Sequence, residues 1–77
     1  MNRHIPINDK QIIDNIISNI IKTRKQKKLS QAKLSELCEL PQATISRLES
    51  FSTEPKLSTI VKVCNALNLE IKCQQMK

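Results

Sequence analysis

Residues 30–49 carry two short apolar repeats at helical spacing, separated by a proline, and this arrangement restricts the fold more than any other feature of the chain. Ser30 is a good N-cap because its hydroxyl can accept a hydrogen bond from an unpaired first-turn N–H. Apolar residues then return at helical spacing as far as Cys38, which predicts a helix over residues 31–38. Pro41 disfavours a helical conformation in the residue before it but fits the first turn of a new helix. The segment therefore predicts two short helices joined by a tight turn, a helix-turn-helix.

The second of these helices, over residues 42–49, leaves most of its surface free. Only Ile45 and Leu48 are large and apolar, so one narrow stripe anchors the helix. Gln and Arg can form paired hydrogen bonds with base edges, Ser and Thr can donate or accept, and Ala can contact a thymine methyl. An ordinary solvated face is the alternative, but the position directly after the turn, in a basic chain, favours DNA contact. The predicted base-contacting residues are Gln42, Ala43, Thr44, Ser46 and Arg47.

The motif resembles the helix-turn-helix of the lambda-repressor-like family, also called the Cro/C1 or XRE family. The strings Leu-Ser-Gln at residues 29–31 and Gln-Ala-Thr-Ile-Ser-Arg at residues 42–47 are similar to recurrent strings of that family. The family usually has glycine where this chain has Glu39, and a left-handed backbone there would strain Glu39 by about 1 kcal/mol. The residues that match its apolar and small positions are Leu34, Ser35, Cys38, Leu40, Ile45 and Leu48.

The resemblance also implies contacts with the DNA backbone and one structural ion pair. In the family, an arginine near the end of the first helix pairs with a glutamate that closes the recognition helix, which here implies Arg24 and Glu49. Plain surface charge is the alternative for this pair, and solvation is the alternative for the loop after the recognition helix. The implied phosphate contacts are Ser30, Gln31, Lys33, Ser52, Thr53 and Lys56.

Two further helices are predicted, one on each side of the motif. Asn8 or Asp9 can cap a first helix in which isoleucines recur as pairs every four residues, and this helix should run to about Lys27. Leu57 begins another apolar repeat at helical spacing. Asn68 should end that last helix, because Asn tolerates the left-handed conformation common just past a helix.

Residues 69–74 alternate strictly between apolar and polar side chains, which is a strand pattern with Leu69, Ile71 and Cys73 as its apolar row. No other strand is predicted. An unpaired strand leaves open N–H and C=O groups, so this one should pair with the same strand of a second copy. The stretch 66–72 resembles the tails of HipB-type and HigA-like antitoxins, which form an intersubunit sheet. The predicted fold is therefore mainly α, a four-helix lambda-repressor-like domain with a C-terminal strand in an intersubunit antiparallel β-sheet.

Three segments follow from these predictions: a flexible N-terminal arm over residues 1–7, a DNA-binding domain over residues 8–68, and a dimerisation strand with its tail over residues 69–77. The formal net charge of +6 favours a polyanionic partner. A chain of 77 residues buries only about 60% of the surface that its unfolded form exposes, so a second copy is the expected source of further stability.

The remaining chemistry of the chain is sparse. Cys38, Cys64 and Cys73 are odd in number and lie in apolar patterns, so we expect small core residues in a reducing compartment and no metal site. No nucleophile–base pair, carboxylate dyad or phosphate loop can be assembled, so we expect neither an enzyme nor a cofactor. No signal peptide or membrane span is recognisable, and a cytoplasmic protein is expected.

Together these features predict a dimeric, sequence-specific repressor on a palindromic operator. The tail resemblance implies an antitoxin that regulates its own operon and binds a HipA-like kinase toxin. Two alternatives stay open: a repressor of phage or mobile-element origin without a toxin, and a protein-interaction module that no longer binds DNA. A neighbouring gene for a kinase-like toxin would distinguish the antitoxin from the repressor without a toxin. The retained Gln42, Thr44 and Arg47 argue against a module that no longer binds DNA.

Overall fold

The computed structural model describes residues 8–75, which contain four α-helices in chain order. The predicted N-terminal arm and the last two residues of the chain lie outside the described residues. No helix in the described part is long and apolar enough to cross a membrane. The helices are α1 (Asp9–Gln26), α2 (Gln31–Cys38), α3 (Gln42–Glu49) and α4 (Leu57–Ala66).

Side-chain caps begin the first two helices. The Asn8 side chain accepts a hydrogen bond from the N–H of Gln11, with an N–O distance of 3.0 Å. The Ser30 hydroxyl accepts one from the N–H of Lys33 at 2.9 Å. Each cap satisfies an N–H that has no partner within its helix, which fixes where the helix begins. The Ser30 cap and the bounds of α2 were both predicted from the sequence.

The turn between α2 and α3 has the left-handed conformation that the family usually gives to glycine. Glu39 has φ 58° and ψ 43°, so it bears a steric cost of about 1 kcal/mol. The N–H of Leu40 donates to the carbonyl of Ser35 at 3.0 Å, which satisfies one carbonyl at the end of α2. Pro41 is the N-cap of α3, one residue before its predicted place in the first turn. The turn is thus closed by backbone hydrogen bonds despite the absent glycine.

All four helices contribute to one apolar core. Helix α2 packs against both α3 and α4, and α1 packs against α3. The predicted isoleucine stripe of α1 is only partly used, because Ile17 and Ile20 are fully buried while Ile12 is 47% exposed. The buried apolar side chains are Ile17, Ile20, Leu34, Cys38, Ile45, Leu48, Ile60, Val63, Cys64 and Leu67.

The C-terminal tail differs most from its prediction. Asn68 has the expected left-handed backbone, with φ 61°, but residues 69–75 have no regular secondary structure. A β-ladder requires a neighbouring strand, and the described part of the chain contains none. Leu69 packs against the core and its N–H donates to the carbonyl of Cys64 at 2.7 Å. The tail therefore leaves the domain from an anchored Leu69 without pairing.

The cysteines divide into two groups. Cys38 and Cys64 are buried, as predicted, and burial raises the pKa of both thiols, which keeps them protonated. Lys62 lowers the pKa of Cys38 by a smaller amount. Cys73 is exposed, so its prediction as a core residue is wrong for the single chain. The alternating pattern placed Cys73 in an apolar row that the helical cores of a dimer would cover, and Cys73 has no such cover in the single chain.

Candidate nucleic-acid interface

Helix α3 packs on the core along one face and is exposed to solvent along the opposite face. Ile45 and Leu48 are buried, with 0% and 2% of their surface exposed, and they fix the helix on the core. The predicted base-contacting residues all lie on the outer side: Gln42, Ala43, Ser46 and Arg47 are exposed, and Thr44 is half-buried. In the described part of the chain the Arg47 guanidinium has no ion-pair partner. Its donors are therefore available to a base or a phosphate.

The loop after α3 brings predicted phosphate contacts beside this face. A cleft of about 330 Å³ is lined by Thr44 and Arg47 of α3 together with Thr53 and Lys56 of the loop. The cleft thus places predicted base-contacting side chains next to predicted phosphate-contacting ones, and protein–DNA interfaces combine both kinds of contact. The structure thus brings together side chains of α3 and of the loop that follows it.

Serine hydroxyls hold the start of this loop. The Ser50 hydroxyl donates to the carbonyl of Arg47 at 2.9 Å, and the hydroxyls of Ser50 and Ser52 are 2.8 Å apart. Ser52 therefore has a structural hydrogen bond in addition to its predicted phosphate contact. The loop is positioned by the end of α3 itself, so moving the helix moves the loop with it.

The start of α2 supplies the other predicted phosphate contacts. The Ser30 hydroxyl is already used as the cap of α2, and the ammonium of Lys33 lies 3.4 Å from the carboxylate of Glu36 in an exposed pair. The Gln31 side chain is half-buried, and its Nε2 donates to Oε1 of Glu49 at 3.0 Å. An amide nitrogen carries two N–H groups, so Gln31 keeps one for a phosphate.

A buried ion pair ties α1 to the end of α3. Nε and Nη2 of Arg24 donate to the two carboxylate oxygens of Glu49, at 2.7 and 2.9 Å. Nη1 of Arg24 also donates to the carbonyl of Leu29 at 2.6 Å. The two side chains are only 11% and 6% exposed, so this bidentate pair is shielded from water and fixes both distance and angle. This is the pair that the family resemblance implied.

Gln31 is the member of this network that the sequence did not reveal. Its hydrogen bond to Glu49 joins α2 to the pair that already joins α1 and α3. The Glu49 carboxylate, at the end of α3, thus accepts hydrogen bonds from side chains of both α1 and α2. No periodicity or spacing signals such a contact, because it depends on how α2 and α3 cross and joins residues that are 18 apart in the chain. Gln31 is thus both a predicted phosphate contact at the start of α2 and a residue that holds the end of α3 in place.

Two short helices joined by a closed turn, the second with a free polar face beside a loop that carries Lys56, define a DNA-binding helix-turn-helix protein. A family model described as helix-turn-helix matches residues 20–72, more than half of the chain. The chain belongs to this family, the Cro/C1-type helix-turn-helix proteins, and is a DNA-binding transcriptional regulator. A search of curated proteins found no significant match.

Proposed function

We propose that this regulator is a homodimeric, sequence-specific repressor that binds a palindromic operator through α3. The observation that carries the proposal is the free outer face of α3. Buried side chains on the opposite side of the helix anchor it to the core, and the cleft with Thr53 and Lys56 borders the free face. Two copies related by a two-fold axis would place their α3 helices in successive major grooves, about 34 Å apart. The operator would then be an inverted repeat whose half-sites lie about 10 base pairs apart.

An exposed apolar surface around the tail supports dimerisation. A groove of about 280 Å³ is lined by Leu57, Val61, Leu69, Ile71 and Cys73. Leu57 is 71% exposed and Ile71 is 40% exposed, although both are large and apolar. Pairing of residues 69–74 with the same segment of a second copy would cover this surface and satisfy open backbone groups. The second copy would therefore complete the fold as well as the operator-binding unit.

The proposed biological role is that of an antitoxin. Residues 66–72 are similar to the tail of HipB-type antitoxins, and this similarity supports a kinase of the HipA type as toxin partner and repression of the shared operon. The role that we propose is binding, with no catalysis by this chain. A tagged chain expressed with its neighbouring genes from its own promoter should co-purify with a kinase-like protein in equal amounts. Recovery of the homodimer alone, with intact operator binding, would instead favour a repressor without a toxin.

Arg47→Ala is expected to weaken operator binding by about 1 to 3 kcal/mol and to relax the preference at one base pair, because a bidentate contact to a base is lost. Binding to an operator selected by the wild-type chain and to random DNA is measured by fluorescence anisotropy over a range of salt concentrations. Lys56→Ala is the matched control, since loss of a phosphate contact should weaken both DNAs equally and lower the salt dependence by about one contact. An equal loss of affinity on both DNAs for Arg47→Ala would show that Arg47 holds a phosphate.

A further inference from the structure

Another groove lies beside the cleft at α3, between the first turns of α1 and the loop that follows α3. Its volume is about 500 Å³, which is within the range of ligand-binding pockets in proteins. Ile13, Ile17 and Phe51 form its apolar floor. Phe51, the only aromatic residue of the chain, is 37% exposed there. The groove therefore exposes apolar surface to solvent, and a side chain of a partner could cover this surface.

The rim of this groove is acidic, although the chain as a whole is basic. Asp9, Asp14 and Glu54 line it, which is three of the seven carboxylates in a chain of net charge +6. Lys10 also lines it, but its ammonium lies 3.3 Å from the Asp14 carboxylate. The rim thus repels nucleic acid and attracts cations, the opposite of what the DNA-binding face requires.

From this complementarity we infer that the groove between α1 and the 51–54 loop binds a basic, amphipathic segment of a partner protein. Apolar side chains of the partner segment pack on the floor of the groove beside Phe51. The lysines or arginines of the segment lie against Asp9 and Glu54. Thr53 lines both this groove and the cleft beside α3. A segment held in the groove would therefore lie next to the DNA-bound face without competing for it, which is a suitable place to recruit a partner to the operator.

The inference can be tested without DNA, so its outcome is independent of the proposed operator. A short amphipathic peptide of leucine and lysine is titrated into the full chain, and amide resonances are followed by NMR. We expect the largest shifts at residues 9–17 and 51–54. A matched peptide of leucine and glutamate should not bind. Shifts spread over all carboxylates of the chain would show non-specific charge attraction and would overturn the inference.

Two substitutions separate the groove from general electrostatics. Phe51 has φ 61°, a conformation that glycine adopts freely, so Phe51→Gly removes the aromatic floor while relieving backbone strain. Phe51→Gly and Glu54→Gln are each expected to weaken peptide binding at least fivefold. Glu70→Gln makes the same charge change outside this groove and should leave the affinity unaltered. Equal losses for Glu54→Gln and Glu70→Gln would contradict the inference.

The basic N-terminal residues of the chain itself are the competing occupant. Arg3→Ser is examined in the free protein, without peptide. Unchanged resonances at Phe51 and Glu54 are expected if the groove serves a partner. Shifts at both residues, together with tighter binding of the leucine–lysine peptide, would assign the groove to this chain's own first residues and overturn a partner site.

Discussion

Arg24→Ala is expected to lower the free energy of unfolding by about 3 to 5 kcal/mol, because removing one partner of a buried ion pair leaves the other charge without compensation. The Glu49 side chain is only 6% exposed, so water cannot replace the lost guanidinium without a rearrangement at the end of α3. A small domain has about 5 to 15 kcal/mol of total stability, so the variant should lose a large part of it. Urea unfolding followed by circular dichroism measures the change.

Lys25→Ala is the matched control for this substitution. Lys25 is the next residue of α1 and is exposed, so its replacement should change stability by less than about 0.5 kcal/mol. The double variant Arg24→Met with Glu49→Leu removes both buried charges and should recover much of the loss. If the pair also orients α3, the recovered double variant will still bind the operator more weakly than the wild type. Similar losses for Arg24→Ala and Lys25→Ala would contradict the role of the pair.

The helix-turn-helix could be predicted from sequence because its signals are local. A capping serine at residue 30, apolar spacing within eight residues and a proline at residue 41 each act over one or two helical turns. The bounds of α2 and α3 follow from them without knowledge of the tertiary structure. The left-handed turn at Glu39 was recognised only as the position where the related family has glycine, and its conformation needed the structure.

The features that the sequence did not predict depend on contacts between distant segments. Ile12 and Leu57 fit apolar helical patterns but are exposed, because a core of four short helices has room for only part of each stripe. The hydrogen bond from Gln31 to Glu49 and the groove lined by Phe51 each join parts of the chain that only packing brings together. Periodicity shows which side of a helix is apolar, whereas packing decides how much of that side is covered.

Ending the chain after Asn68 is expected to reduce operator binding by about two to four orders of magnitude, because one half-site contact no longer assists the other within a dimer. Sedimentation velocity at micromolar concentration should find a monomer, and a titration with the inverted-repeat operator should give the affinity. The truncation also removes Leu69, which packs against the core, so some stability will be lost for a reason unrelated to pairing.

Ile71→Pro separates these two effects, because it keeps Leu69 while removing a backbone N–H from the proposed ladder. It should imitate the truncation in sedimentation and in operator binding, with a smaller effect on the unfolding of the domain. Gln75→Pro, just beyond the proposed strand, is the control and should remain a dimer. If both the truncated chain and Ile71→Pro sediment as dimers at micromolar concentration, the interface lies on the helices, and the antitoxin-like role of the tail is rejected with it. If only the truncated chain becomes a monomer, side-chain contacts of the tail hold the copies together and the β-ladder is rejected alone.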